Sequence, residues 1–340
     1  WDNAAGLTEL KALLVQGAVM NVYMSAGTYS VTEVLVSEAD GADFSVYGGY
    51  PADAKSASLK LRDSKANATI FDGDGKSQIW LTQKGNVLFD GLTFQNGFSG
   101  SSNGGALVFN GTGVTGKILG CTFIGNKVTD GTNSTSGLSG GAIHVGEAKL
   151  TVENCSFSKN YGRNGGSLYS NHADAELTVK SCTFTEDYTY NTGGSINNSN
   201  GTQTIENCTF TGCYNLIGTG GAVHVNGASA VQTLKNCVFG ACEANRNNSY
   251  LKVDAKASGG AVSVQNAYLD VVGCTFDGNM GSAGSAMLLQ SGDGLVRVTD
   301  CVFKNNKGAS RGLIQTNGKV VLFMNNCQIF DNTLRTNQWG

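Results

Sequence analysis

The sequence predicts an all-β chain: a right-handed, single-stranded parallel β-helix of about nine or ten coils with a short N-terminal capping helix. Three observations predict it. The cysteine that opens each row recurs at intervals of 34, 27, 26, 29, 37, 27 and 26 residues from Cys121 to Cys327, and a period of this size marks a solenoid. A second landmark recurs in phase with it, as Gly140-Gly141-Ala142, Gly165-Gly166-Ser167, Gly193-Gly194-Ser195 and Gly220-Gly221-Ala222. Between the landmarks, runs such as Leu150-Thr151-Val152-Glu153 alternate apolar and polar with almost no helical pattern. Short strands joined by corners every coil describe a β-helix, and the crossover rule for parallel strands makes it right-handed.

Composition agrees. Glycine is 48 of 340 residues and proline occurs once, while 14% of residues are charged and 40% hydrophobic. That excludes a disordered chain. A net charge of −3 offers no basic footprint for nucleic acid. No apolar run is long enough to span a bilayer as a helix. One β-helix domain is expected over 1–340, with 1–64 as cap and irregular first coils, 65–332 as regular coils and 333–340 as the end.

The elements follow in order. Leu7, Leu10, Leu13 and Leu14 have helical spacing ahead of Gly17, which predicts a short lid over the open strand edges. Residues 18–36 and 43–50 read as the first, less regular strands. Asp72-Gly73-Asp74-Gly75-Lys76 resembles a calcium loop only in its first half, because Lys76 and Gln83 stand where acids are needed. It reads as a turn, and no metal or other cofactor is expected. From Gly91-Leu92-Thr93-Phe94 onward the rows are regular: Asn154-Cys155-Ser156-Phe157, Ser181-Cys182-Thr183-Phe184, Asn207-Cys208-Thr209-Phe210 and their repeats. In each row, parity flips before the cysteine, so that Leu150 and Val152 point inward and then Cys155 and Phe157 do. A residue at positive φ produces such a flip, and Asn, Gly and Asp there tolerate it. Three residues after the aromatic stand Asn126, Asn160, Asn279, Asn306 and Asn332, with Asp187, Cys213 and Cys242 in the same slot.

Phe-x-x-Asn paired with Gly-Gly-Ala-Ile resembles the repeat of the polymorphic outer membrane proteins, within the pectate-lyase-like right-handed β-helix class, over roughly residues 65–332. The resemblance implies a bacterial, secreted or surface-exposed β-helix, often adhesive, with any signal peptide already removed. The membrane barrel of those proteins is not among these residues, so self-translocation is not part of the expectation.

The row cysteines are expected as buried thiols, because a straight ladder supplies neither the dihedral of a disulfide nor a zinc tetrahedron. For Cys213 and Cys242, at a corner of adjacent coils, a disulfide and two free thiols both fit. Enzyme chemistry finds little to work with. His144 and His224 occupy equivalent positions but stand three rungs, roughly 14 Å, apart, too far to share a proton or a metal. A polysaccharide lyase and a structural stalk remain the rival readings.

The favoured reading is a carbohydrate-binding or adhesive surface. Segments 127–139 and 243–258 are long and should bracket a trough about four rungs wide. The three short segments between them all begin with tyrosine: Tyr161, Tyr188 and Tyr214. Tyrosine offers an apolar face for sugar rings and a hydroxyl for their polar groups. Arg163 and Tyr190 lie on the same segments. The neighbouring strands present His144, Tyr169, Asn197 and His224 outward, followed by Ser263. The expected partner is a polysaccharide or host or cell-surface glycan. The alternative for the tyrosines is a ladder that only stabilises the corner.

Overall fold

The computed structural model describes residues 3–15, 19–56, 58–131, 137–244, 246, 259–290 and 294–334. Its strands pair in parallel with those one coil away, building three long sheets. The first has eleven strands, from Val19–Ser25 to Val321–Asn325; the second has eleven, from Gly27–Ser30 to Gln328–Phe330; the third has ten, from Leu35–Ser37 to Ile314–Asn317. About eleven coils exceed the nine or ten expected. The first two coils carry neither the row cysteine nor the Gly-Gly-Ala landmark, and they join the stack by pairing Tyr29 with Phe71 and Phe71 with Phe94. The helix spans Asn3–Val15 and buries Leu7, Leu10 and Leu14 in the end of the core. Gln16, Gly17 and Ala18, where the lid was expected to end, lie outside the described residues, as do 335–340 at the other end.

Each coil turns at left-handed residues. The parity switch falls where expected, with φ of 55° at Asn154, 53° at Ser181, 55° at Asn207 and 55° at Asp300. A second left-handed corner follows two residues after each phenylalanine, at Lys159, Glu186, Ala241 and Asn305. Lysine, glutamate and alanine carry no sequence signal for that conformation. The double glycine is the third corner, and its two members are needed for different reasons. Gly165 and Gly193 sit at φ of 58° and 64°. A Cβ on Gly166 or Gly194 would instead meet the next coil's carbonyl, at 2.3 Å from Gly194 O and 1.9 Å from Gly221 O.

Between the second and third corners, the segments read from sequence as loops begin with a short fourth ribbon. It runs Phe98–Ser99, Lys127–Val128, Tyr161–Asn164, Tyr188–Thr192 and Tyr214–Asn215.

Three columns fill the interior beside the second sheet. Phenylalanines 123, 157, 184, 210, 239, 276 and 303 stack with ring centroids 4.7 to 4.9 Å apart. The cysteines are free thiols and all but Cys327 are buried, Cys213 and Cys242 included. They also satisfy the backbone at the corner. The Cys155 amide donates to Cys182 Sγ at 3.4 Å, and the Cys155 thiol donates to Glu153 O at 3.2 Å. In the third column, Asn126 and Asn160 are linked by Nδ2–H···Oδ1 at 3.0 Å, and Asn160 is linked to Asp187 in the same way at 3.1 Å.

Candidate functional site

The tyrosines head three consecutive ribbon strands. The residue before each (Asn160, Asp187, Cys213) and the residue after each (Gly162, Thr189, Asn215) is buried, so strand alternation turns the tyrosines outward. They pair in register, Tyr161 with Tyr188 and Tyr188 with Tyr214. Ring centroids lie 4.8 and 5.2 Å apart, the second pair within 10° of parallel. The row is half-buried, and this partial burial pushes the Tyr161 and Tyr188 phenols above their ordinary pKa.

The stack ends on a cation at each side. Lys127, in register with Tyr161, places Nζ 5.4 Å from that ring's centroid. The Arg246 guanidinium lies 3.7 Å from the Tyr214 centroid, and its Nε donates to Glu243 Oε2 at 2.9 Å. Sequence reasoning missed both cations. Lys127 shares the tyrosine slot and was legible as such; Arg246 lies beyond the slot, and no periodicity marks it.

This geometry changes what the row can do. One face of Tyr188 is taken by Tyr214 and the other is crowded by the Tyr161 ring, tilted 44° to it, while the outer faces of the end rings look toward Lys127 and Arg246. Sugar rings stack on faces, so the expected stacking is largely closed off. What the row offers to solvent is ring edges and a line of phenol hydroxyls. Arg163 and Tyr190 continue the same outward face, both half-buried. The Arg163 charge opposes the rise in the Tyr161 pKa that burial causes.

The second expected row is in register as read: His144, Tyr169, Asn197, His224 and Ser263 follow one another across the third sheet. It does not present a polar surface outward, because His144, Asn197, His224 and Ser263 are buried. Neighbouring polar side chains close over them. Asn197 Nδ2 donates to Thr192 Oγ1 at 2.6 Å, and Ser199 Oγ donates to Asn197 Oδ1 at 2.8 Å. His224 Nδ1 and Ser263 Oγ lie 2.6 Å apart, and Ser263 Oγ donates to Thr219 Oγ1 at 3.1 Å. His144 Nε2 is 3.0 Å from Asn171 Oδ1, with its ring stacked on Tyr169 at 5.7 Å. Burial lowers the His144 pKa and brings that of His224 down to about 4, so both imidazoles are neutral at pH 7. Tyr169 alone of the four candidate residues there keeps partial exposure.

The long segments expected to bracket a trough are only partly described: 132–136, 245 and 247–258 lie outside the described residues. The turn at Asp72 closes on itself, with Asp72 Oδ1 accepting from the Asp74 amide at 2.8 Å and Lys76 paired with Asp74 at 2.6 Å. Among the described residues, no three His, Cys, Asp or Glu side chains converge as a metal site. No described helix is long and apolar enough to cross a membrane. A groove of about 460 Å³ lies between the capping helix and the first strand, lined by Leu10, Leu13, Met20, Val22, Tyr23 and Tyr50 among others.

Two solved structures resemble this chain. One is a mannuronic acid specific polysaccharide family 6 lyase enzyme from human gut microbiota, 11% identical, covering 94% of this chain and 81% of that one at a TM-score of 0.49. The other is the catalytic unit of a thermostable GH87 α-1,3-glucanase from Streptomyces thermodiastaticus strain HF3-3, 12% identical, covering 97% of this chain and 67% of that one at 0.44. At these scores neither lends its chemistry to this chain. No curated protein matches it. The family model for the right handed beta helix region matches residues 59–239, more than half the chain, and the chain belongs to that family.

Proposed function

We propose that the chain is a carbohydrate-binding β-helix that reads an extended glycan along the tyrosine ribbon, in a secreted or cell-surface setting of the kind its repeat resemblance implies. One observation carries the reading: three tyrosines in register, one per coil, stacked and flanked by Lys127 and Arg246. Because the rings stack on one another, recognition runs through the phenol hydroxyls, spaced by one rung of about 4.8 Å. Arg163 and Tyr190 add a donor and a further hydroxyl, and Tyr169 lies on the adjoining sheet. The buried His144, Asn197 and His224 hold the scaffold beneath rather than touching the glycan.

The test is retention on an array of neutral and uronic acid glycans by the parent chain and a triple Tyr161→Phe, Tyr188→Phe, Tyr214→Phe variant. Phenylalanine keeps the stack and removes the hydroxyls. Retention by the parent and its loss in the variant, at unchanged melting temperature, supports the reading. Equal retention by both, or none by the parent, overturns it.

A further inference from the structure

The third interior column holds one rung unlike the rest. In seven of the eight slots, the side chain donates to the carbonyl of the phenylalanine one coil earlier. Asn126 donates to Phe94 O at 3.0 Å, Asn160 to Phe123 O at 3.2 Å, Asn279 to Phe239 O at 2.9 Å and Asn306 to Phe276 O at 2.9 Å. Asn332 donates to Phe303 O at 2.8 Å. The two cysteine rungs do the same through sulfur, Cys213 to Phe184 O at 3.4 Å and Cys242 to Phe210 O at 3.7 Å. The eighth rung is Asp187, whose carbonyl partner by this pattern is Phe157 O. A carboxylate has nothing to donate there, whereas a carboxylic acid has one proton.

We propose that Asp187 sits in the column as the neutral acid, donating to Phe157 O, and that its ionisation loosens the coil that carries Tyr188. Asp187 is fully buried. Its Oδ1 accepts from the Asn160 amide at 2.9 Å, and its Oδ2 accepts from Ser167 Oγ at 2.6 Å. Those donors serve either protonation state. From its own coil Ser195 faces it, and from the coil after it Cys213. Of these neighbours only Cys213 titrates, and burial pushes that thiol far up. The charged pair Lys159 and Glu186 sits on the exposed corner outside. With no cation among the described residues to offset burial, the Asp187 carboxyl is raised to about 7.

The sign follows from linkage. A carboxyl whose folded pKa is raised stabilises fully below its unfolded value, and that contribution is lost as pH rises toward the folded value. Between about pH 4 and 7, the folding equilibrium constant should fall roughly tenfold per pH unit on this account. Buried neutral His224 works in the opposite direction, losing stability as pH falls below 6.5, so the parent profile alone is uninformative. The difference between parent and Asp187→Asn isolates the rung, because asparagine donates at every pH.

Denaturant unfolding of both chains at pH 4.5, 6 and 8 tests it. The expected result is near-equal stability at pH 4.5 and a large advantage for Asp187→Asn at pH 8, up to on the order of a thousandfold in the equilibrium constant. Asp187→Cys, which copies the next two rungs, should show the same pH-dependent advantage over the parent and serves if the asparagine variant does not fold. A parent-minus-variant difference that does not change with pH overturns the proposal. The consequence for the tyrosine row rests on the proposed glycan reading: retention by the parent should weaken between pH 6 and 8, and retention by Asp187→Asn should not. A pH-dependent stability difference with no retention at any pH would leave Asp187 as argued and remove the glycan reading alone.

Discussion

Two aromatic ladders climb this β-helix side by side, one inside and one outside. Interior phenylalanines repeat at 4.7 to 4.9 Å and exterior tyrosines at 4.8 and 5.2 Å. Both spacings are set by the backbone, since one rung of a parallel sheet is about 4.8 Å. Stacking is therefore no evidence of function in itself. What separates the ladders is their surroundings. Phe184 is fully buried, whereas Tyr188 is half-buried, with its hydroxyl edge left for another partner. The inner columns should carry the stability, and the outer row should be nearly dispensable for it.

The largest effect expected of that difference is kinetic. Nine cysteines are buried and Cys327, in the last coil, is part-exposed. Buried thiols react only through opening, which for core elements approaches the global unfolding free energy of about 5–15 kcal/mol. Alkylation of the native protein should therefore add one label quickly, at Cys327, with the remaining thiols slower by orders of magnitude. Uniform fast labelling would mean that the inner columns are not the stable part.

Within those columns, Phe184→Ala should cost about 3–5 kcal/mol, because it removes a large buried ring and leaves a gap between Phe157 and Phe210. The midpoint of urea unfolding reads this directly, and a loss under about 1 kcal/mol would break the comparison. Asn160→Ala should cost somewhat less, about 2–3 kcal/mol. It deletes the donor to Phe123 O and leaves the buried Asn126 amide without its acceptor.

The inner ladder was legible in the sequence and the outer site only in part, for physical reasons. Phe-x-x-Asn and the row cysteine recur because each occupies one inward slot per coil, and a slot buried in the same way every time accepts few residue types. The corner at Lys159, Glu186 and Ala241 left no such trace, because backbone pairing on both sides holds φ positive whatever the side chain. Alternation correctly placed His144, Asn197 and His224 on the outer side of the third sheet. It could not show that Asn171, Thr192 and Thr219, from turns and ribbon ends, bond over them. Parity gives direction, whereas exposure depends on segments distant in sequence. Arg246 illustrates the same limit, since it lies outside the repeating slots and reaches the Tyr214 ring from beyond them.

The smallest stability effect, and the most discriminating, is at the centre of the outer row. Tyr188→Ala removes a half-exposed ring from between Tyr161 and Tyr214 and should cost about 1 kcal/mol, the scale of aromatic pairing outside a core. Tyr188→Phe keeps that stacking and should change stability by less than about 0.5 kcal/mol, as surface changes usually do. Glycan retention should respond differently. The phenylalanine variant loses one hydroxyl hydrogen bond, about 1 kcal/mol or roughly fivefold in affinity. The alanine variant should lose at least as much. Unfolding midpoints and retention measured on both variants separate the two roles of the row. If Tyr188→Phe lowers the midpoint as far as Tyr188→Ala does and leaves retention untouched, the hydroxyl belongs to the fold, and the outer ladder is a corner brace like the columns beneath it.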